Sequence, residues 1–380
     1  MQEVKILIAS DLVPTESNMI IFEKADIDSL ICSDIKAKLN DVDLRIYNLE
    51  TPLADMKTPI DKAGPALVAS AKSITGIKRL GADVLGLANN HILDQGEQGL
   101  FSTISTLREY GIDFVGAGKN IAEASRGLIA EKHGVKIGIY ACAENEFTIA
   151  SEDTAGANPF DPLWSLDHIM ELKSRCERVI VLYHGGKEHY RYPSPYLQRT
   201  CRRMVDKGAD VVICQHSHCI GARENYNQSV IVYGQGNFIF DLSDSEFWQT
   251  SMLIELGITG NNIVVNEIPI VKTGSSVRLA NVKETTKILE EYNNRSIEMQ
   301  ERGFVERHYN EFAASLVDNY LNSFFGNNII VRIINRLLGR KLSKLLHSKK
   351  SLLWFRNIAE CEAHREVFIS GIKAKIKKGV

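Results

Sequence analysis

The 380-residue chain contains no Cys-x-x-Cys pair, and its seven cysteines (Cys32, Cys142, Cys176, Cys201, Cys214, Cys219 and Cys361) are scattered and odd in number. Such spacing suggests neither a disulfide framework nor a structural zinc site. Most of these cysteines read as small core residues. No apolar run approaches the roughly 18 residues that a membrane-spanning helix needs. The first apolar run is bracketed by Lys5 and Asp11, so it is strand-length and too short for a signal peptide. Internal repeats and low-complexity linkers are also lacking. The expected location is therefore a reducing cytoplasm.

What remains is ordinary globular composition, with 44% apolar and 24% charged residues, enough for one large domain and an accessory piece. The net charge of −2 conceals an asymmetry. Residues 330–380 hold 13 Lys or Arg against three acids (Glu360, Glu362 and Glu366), a balance of +10, and residues 1–329 carry −12. Two opposite halves suggest that the C-terminal part has a partner of its own.

Along the chain, VKILIAS (4–10), DLRIYNL (43–49), ADVLGLA (82–88), RVIVLY (178–183) and 210–214 read as buried strands. Helical spacing predicts helices over 26–42, 73–80, 97–110, 164–176 and 196–207. A hairpin is expected to turn at His133-Gly134, and another near Gly260-Asn261-Asn262. Strands alternating with helices, followed by late hairpins, indicate a layered α/β domain of mixed sheets over residues 1–282. From 283 to 380 the pattern is helical and basic. Ile329, Ile330, Ile333, Ile334, Leu337, Leu338, Leu342, Leu345 and Leu346 recur at three- and four-residue steps. Arg332, Arg336, Arg340, Lys341 and Lys344 fill the other face. This amphipathic helix either packs on the larger domain or docks on a membrane surface or a protein partner, which would make the protein peripheral at the membrane. A nucleic-acid partner is disfavoured, because the tail lacks interleaved aromatics beyond Trp354 and Phe355.

Four clusters of acceptor and imidazole side chains sit at the ends of the strand-like runs: Asp11; Glu50 in YNLE; Asn90-His91 in LGLANNH; and His184 with His216-Ser217-His218. Asp, Glu, Asn and His together are the ligand types of a two-metal hydrolase site. A pair of divalent ions can activate a water and aim it at phosphorus or a carbonyl. Glu50 is the candidate bridging carboxylate, Asp11 and His218 would complete one ion, and Asn90, His184 and His216 the other. Mixed oxygen and imidazole donors admit Mn, Fe or Zn. His91 could stay off the ions as a general acid, with Asp94 fixing its tautomer or capping the following helix. Asn89, Lys187, Glu188, His189, Arg191, Arg223 and Asn237 are the candidate contacts for an anionic small-molecule or polymer substrate.

The segments SD (10–11), NLETPLAD (48–55), LANNHILDQG (87–96), YHGGKEHY (183–190), KGADVVICQHSH (207–218) and VYGQGNFIFD (232–241) resemble the CapA family of bacterial poly-γ-glutamate capsule biosynthesis. That family is related to the calcineurin-like metallophosphoesterases. The resemblance covers about residues 4–270. It implies a four-layer α-β-β-α sandwich with the metal site at the strand carboxyl ends, and a C-terminal helical extension outside the resemblance. It also implies Asp11, Glu50, Asn90, His184, His216 and His218 as ligands and His91 as the catalytic imidazole. Three positions depart from the wider phosphoesterase pattern: Val13 where a His is usual, Glu50 in place of an Asp, and Gln215 where His is common. Many relatives carry an N-terminal membrane anchor that is not seen here. Two functions follow: a metal-dependent hydrolase of a phosphoester or a γ-glutamyl-type amide, or a non-hydrolytic polymer-binding subunit of a capsule assembly system.

Overall fold

The computed structural model describes residues 2–323, 329–339, 341–342, 348–360 and 362–377. Two compact units divide between Glu306 and Arg307. The first unit opens with β1 (Val4–Leu12), β2 (Leu44–Leu49), β3 (Val84–Gly86) and β4 (Asp113–Val115), all parallel. β5 (Ala117–Gly118) and β8 (Gly156–Ala157) form a small antiparallel ladder. A second sheet contains β6 (Leu128–Lys132), β7 (Val135–Ala143), β9 (Arg178–His184), β10 (Val211–Gln215), β11 (Arg223–Tyr226) and β12 (Ser229–Val232), in the order β11-β12-β10-β9-β7-β6. The chain then returns to the first sheet with β13 (Asn237–Ile239), β14 (Thr250–Thr259), β15 (Asn262–Thr273) and β16 (Ser276–Leu279). That sheet runs β16-β15-β14-β1-β2-β3-β4, with β13 also paired to β1. The helices are α1 (Met19–Glu23), α2 (Ser33–Asn40), α3 (Ile74–Arg79), α4 (Gly96–Glu109), α5 (Ile121–Ala124), α6 (Ser165–Arg175), α7 (Pro195–Asp206) and α8 (Val282–Glu298).

The layering follows from the two-residue period of a strand. Ile6 and Ile8 of β1 and Leu44 and Ile46 of β2 face Ile180 and Leu182 of β9 and Val211 and Ile213 of β10, forming the core between the sheets. The alternate residues Leu7, Ala9, Tyr47 and Leu49 pack on the other side with Leu39, Ile77 and Leu100 from α2, α3 and α4. Val181, Tyr183, Val212 and Cys214 pack with Ile169, Leu172, Cys201 and Met204 from α6 and α7. The result is a four-layer α-β-β-α sandwich. Because both faces of the central strands are covered, their sequences are continuous apolar runs rather than alternating ones.

The expected turn at His133-Gly134 forms, with φ of 51° and 78° as a tight hairpin requires. The helix expected over 26–42 does not run through. Ile31 makes a parallel bridge to Val277, and Cys32 N–H donates to Val277 O at 3.2 Å, so the backbone there belongs to the sheet edge and α2 begins only at Ser33. A local spacing pattern carried no trace of that partner, 246 positions later in the chain.

Residues 283–306 fall in the first unit rather than in the C-terminal extension to which the sequence pattern assigns them. A capping box of Asn281 and Glu284 starts α8. Ile288 and Tyr292 join the core between the sheets, and Arg295 is buried, donating from Nε to Gly221 O at 2.8 Å and from Nη2 to Ile220 O at 3.3 Å. These bonds clamp the loop that follows the His-x-His segment. Arg295→Ala is expected to cost about 1–3 kcal/mol by removing the side-chain donor of Gly221 O, whereas Ile220 O keeps Arg191 Nη1 at 3.3 Å; an unchanged urea midpoint would show that the clamp is idle.

The boundary falls within the first turn of α9 (Phe304–Ser323), and the second unit goes on with α10 (Ile329–Leu337) and helices over Lys349–Glu360 and Glu362–Lys377. α10 exposes Ile329, Ile330, Ile333, Ile334 and Leu337. Arg340, Lys344, Leu345 and Leu346 of the expected stripe, and Cys361, lie outside the described residues. Among the described residues no helix is long and apolar enough to cross a membrane. The six described cysteines are free, as their spacing implies.

Candidate metal centre

The carboxyl ends of the parallel strands of both sheets meet at one place. Asp11 stands near the end of β1, where the register to β2 and β13 shifts and a bulge re-aims the chain. Glu50 follows β2, Asn90 and His91 follow β3, His184 ends β9, and His216 and His218 follow β10. Asp11 and Glu50 are fully buried, and His184, His216 and His218 are nearly so. The backbone at His216 (φ 80°) and His218 (φ 52°) is in the left-handed region that side chains disfavour. Packing holds this strained loop: Ser217 O accepts from His189 N–H at 2.8 Å and Gln215 O from Gly185 N–H at 3.3 Å. Stored strain of this kind is characteristic of functional loops.

Two groups of donor atoms result, each drawn together within 4.8 Å: Glu50, His184 and His216, and Asp11, Glu50 and His218. Glu50 belongs to both, as a bridging carboxylate must. Asn90 Oδ1 lies 3.0 Å and Glu50 Oε1 3.2 Å from His184 Nε2, and His216 Nδ1 is 3.1 Å from the same nitrogen. His218 Nδ1 lies 3.4 Å from Asp11 Oδ2. Both Glu50 oxygens and Asp11 Oδ2 are buried without a hydrogen-bond donor. Bare carboxylate oxygens in the interior are costly unless a cation compensates them. Burial lowers the basicity of His218, but its contact with Asp11 and the charge of Glu50 outweigh this and raise its pKa to about 9. Burial and the neighbouring imidazoles of His184 and His218 hold His216 well below the usual histidine range. The cluster thus calls for positive charge beside Glu50 and Asp11, and this donor set fits a pair of divalent ions.

His91 stands beside this cluster and belongs to neither donor group. Its Nδ1–H donates to Asp94 Oδ2 at 2.6 Å, which leaves Nε2 outside that bond. Asp94 is fully buried and is not a helix cap, since α4 is preceded by Gln95 and has no side-chain cap. A residue the sequence pattern did not reveal completes the group. Lys62, with a side chain only 3% exposed, places Nζ 2.5 Å from Asp94 Oδ1 and 3.3 Å from His91 Nδ1. It comes from irregular chain between β2 and α3, so no periodicity marks it.

Two further residues were legible but passed over. Asn48 is polar within an apolar strand and two residues before Glu50, on the same face. Its Nδ2 donates to Asp11 Oδ1 at 2.8 Å and lies 3.3 Å from His184 Nδ1. Glu144 follows the apolar run of β7 just as Glu50 follows β2. Burial raises its pKa, and its Oε1 accepts from Gly186 N–H at 2.9 Å. Gly185 is needed there, because a Cβ would meet Glu144 Cγ at 2.4 Å.

The expected substrate contacts divide. His189 comes to the rim: its ring centroid is 6.4 Å from that of His218, and its Nε2 accepts from Trp248 Nε1–H at 3.0 Å. Arg191 lies over the Phe247 ring at 4.8 Å. Lys187 and Glu188 lie 3.8 Å apart as a partly exposed pair. Asn237 Oδ1 is 2.8 Å from His218 Nδ1. Asn89 differs from its expected role. Its Nδ2 donates to Asn48 Oδ1 and Leu49 O, and its Oδ1 accepts from His91 N–H, so its amide is spent on holding the loop. Arg223 also differs: it pairs with Glu267 at 2.9 Å and Asn225 at 3.1 Å, and neither belongs to the cluster.

Residues 5–242 match the family described as bacterial capsule synthesis protein PGA_cap. The capsule biosynthesis protein CapA of Bacillus anthracis is 32% identical over 203 residues, 51% of this chain and 49% of that protein. The PGA biosynthesis protein CapA of Bacillus subtilis is 33% identical over 178 residues, 46% of this chain and 47% of that protein. The chain spans about half the length of these relatives. Similar solved structures include a phosphatase of Mycoplasma pneumoniae, 16% identical over 72% of this chain and 95% of that one with a TM-score of 0.46. A putative 5'-nucleotidase of Staphylococcus aureus is 14% identical over 76% of this chain and 58% of that one, with a TM-score of 0.43. With more than half of its length matched by the family, this chain belongs to the bacterial capsule synthesis PGA_cap family.

Proposed function

We propose that the protein is a metal-dependent hydrolase that cleaves a phosphoester or a γ-glutamyl-type amide in the metabolism of a capsule polymer. The observation that carries this reading is the His91-Asp94 pair standing beside, and outside, two ligand groups that share Glu50. A scaffold that merely held a polymer would need the ligands but no oriented imidazole. Divalent ions, held by Asp11, Glu50 and His218 and by Glu50, Asn90, His184 and His216, would supply Lewis acidity and an activated water. The remaining chemistry is the chain's own. Asp94 holds the Nδ1–H of His91, and in the imidazolium form the second proton, on Nε2, can pass to a leaving oxygen or nitrogen, which leaves a neutral ring still bound to Asp94 through Nδ1–H. Lys62 sets a positive charge against Asp94 inside the protein. Arg191 and Lys187 supply positive charge for anionic substrate oxygens. The γ-glutamyl alternative is favoured by the relatives described as CapA proteins of capsule and PGA biosynthesis.

The test is turnover of p-nitrophenyl phosphate, bis-p-nitrophenyl phosphate and γ-glutamyl-p-nitroanilide by protein loaded with manganese or zinc. Turnover that chelator abolishes and reloading restores is the expected outcome. No turnover of any of the three, together with retention of poly-γ-glutamate on the immobilised protein, would replace the hydrolase with a polymer-binding subunit.

A further inference from the structure

The two ligand groups are unequal. One is served by Glu50, Asn90, His184 and His216, and the other only by Asp11, Glu50 and His218. The position two residues after Asp11 is Val13, buried among Phe240 and Trp248, and it offers no donor.

We infer that Asn237 is the missing ligand of the second group, supplying its amide oxygen to the ion held by Asp11, Glu50 and His218. This rests on the two-ion reading above. Three observations support it. β13 runs parallel to β1 with Asn237 in register with Asp11, so both side chains start from neighbouring strands at the same height. Asn237 is 5% exposed, and its Oδ1 lies 2.8 Å from His218 Nδ1, which itself lies 3.4 Å from the donorless Asp11 Oδ2. These are the spacings of ligands around one cation. The other group shows the same motif, with Asn90 Oδ1 3.0 Å from His184 Nε2. Each ion would then have an amide oxygen set against an imidazole nitrogen, and both would share Glu50.

The assignment has a consequence for metal choice. The group with Asn237 offers three oxygen-donor residues and one imidazole, whereas the group with Asn90 offers two oxygen-donor residues and two imidazoles. The former is the harder site, suited to Mn²⁺.

The experiment is titration of chelator-stripped full-length protein with Mn²⁺, reading free ion by its electron paramagnetic resonance signal. Wild type is expected to take up two ions. Asn237→Ala should keep one tight ion and bind the other at least about tenfold more weakly. Asn237→Asp, which retains an oxygen at the same place, should keep both. Asn237→Ser carries the same expectation as alanine should the alanine variant fail to fold, and melting of each stripped variant checks folding. Two ions bound by Asn237→Ala with unchanged affinity would overturn the assignment and reduce Asn237 to an orienting partner of His218. A wild type that takes up no Mn²⁺ or Zn²⁺ would overturn the two-ion reading itself, and this assignment with it.

Discussion

Glu50→Gln is expected to lose metal and, in the same variant, to make the metal-free protein more stable. Both effects come from one feature. Glu50 is fully buried, and neither of its oxygens has a hydrogen-bond donor. On the two-ion reading its charge would be shared between both ions, a role that a neutral amide would fill poorly. Elemental analysis should therefore find two ions in wild type and one or fewer in the variant. Turnover should fall by several kcal/mol of lost transition-state stabilisation, on the order of 10³-fold. In the stripped protein the same charge is a burden, because its oxygens have no donor and the imidazolium of His218, which it shares with Asp11, offsets it only in part. Glutamine removes the charge at almost constant volume, so stripped Glu50→Gln should melt above stripped wild type, by the equivalent of about 1–3 kcal/mol. Metal added to wild type should reverse the order. Loss of metal without a gain in metal-free stability would mean that the ligand loop relaxes and hydrates Glu50 when empty.

His91→Ala should behave in the opposite way. His91 lies outside both ligand groups, so the variant should retain two ions. Its turnover should fall by about 10²–10⁴-fold on a substrate with a poor leaving group, the ordinary contribution of a positioned acid. The fall should be much smaller on a p-nitrophenyl ester, whose leaving group departs without a proton. Asp94→Asn should show the same leaving-group signature in milder form, since it disturbs the tautomer of His91 and leaves the imidazole in place. An equal loss on both substrates would remove His91 from the role of acid, and a fall in metal content would make it a ligand or a structural residue.

Much of the centre was legible because of where buried strands end. A strand covered on both faces must be apolar along its length, and the first polar residue after it is the first that can leave the core. Asp11, Glu50, Asn90, His184, His216 and His218 follow this rule in its looser form, each standing at or within a few residues of a strand's carboxyl end, and the structure brings them to one place. Glu144 obeys it too and was passed over. Asn48 left a fainter mark, one polar residue inside an apolar run. Lys62 left none, because its closeness to Asp94 depends on how irregular chain folds over the loop after β3.

The limits at Asn89, Arg223 and the 26–42 segment have a common cause. Residue type and local spacing say what a side chain can do, but not which other segment takes up its hydrogen bonds. The amide of Asn89 is taken by Asn48, Leu49 and His91, the guanidinium of Arg223 by Glu267, and the backbone at Ile31 and Cys32 by Val277. Apart from His91, two residues from Asn89, each partner is remote in sequence.

The sequence by itself determined the layered α/β class, the order of most strands and helices, and the chemical types gathered at the strand ends. These follow from period and burial, which are local properties of the chain. Only the tertiary structure decided that Glu50 serves both ligand groups, that Asp94 belongs to His91 and Lys62 rather than to a helix cap, that α8 clamps the His-x-His loop, and that Asn237 comes to lie beside Asp11 and His218. These depend on the register between strands far apart in the chain, which the packing of the two sheets sets and local periodicity cannot.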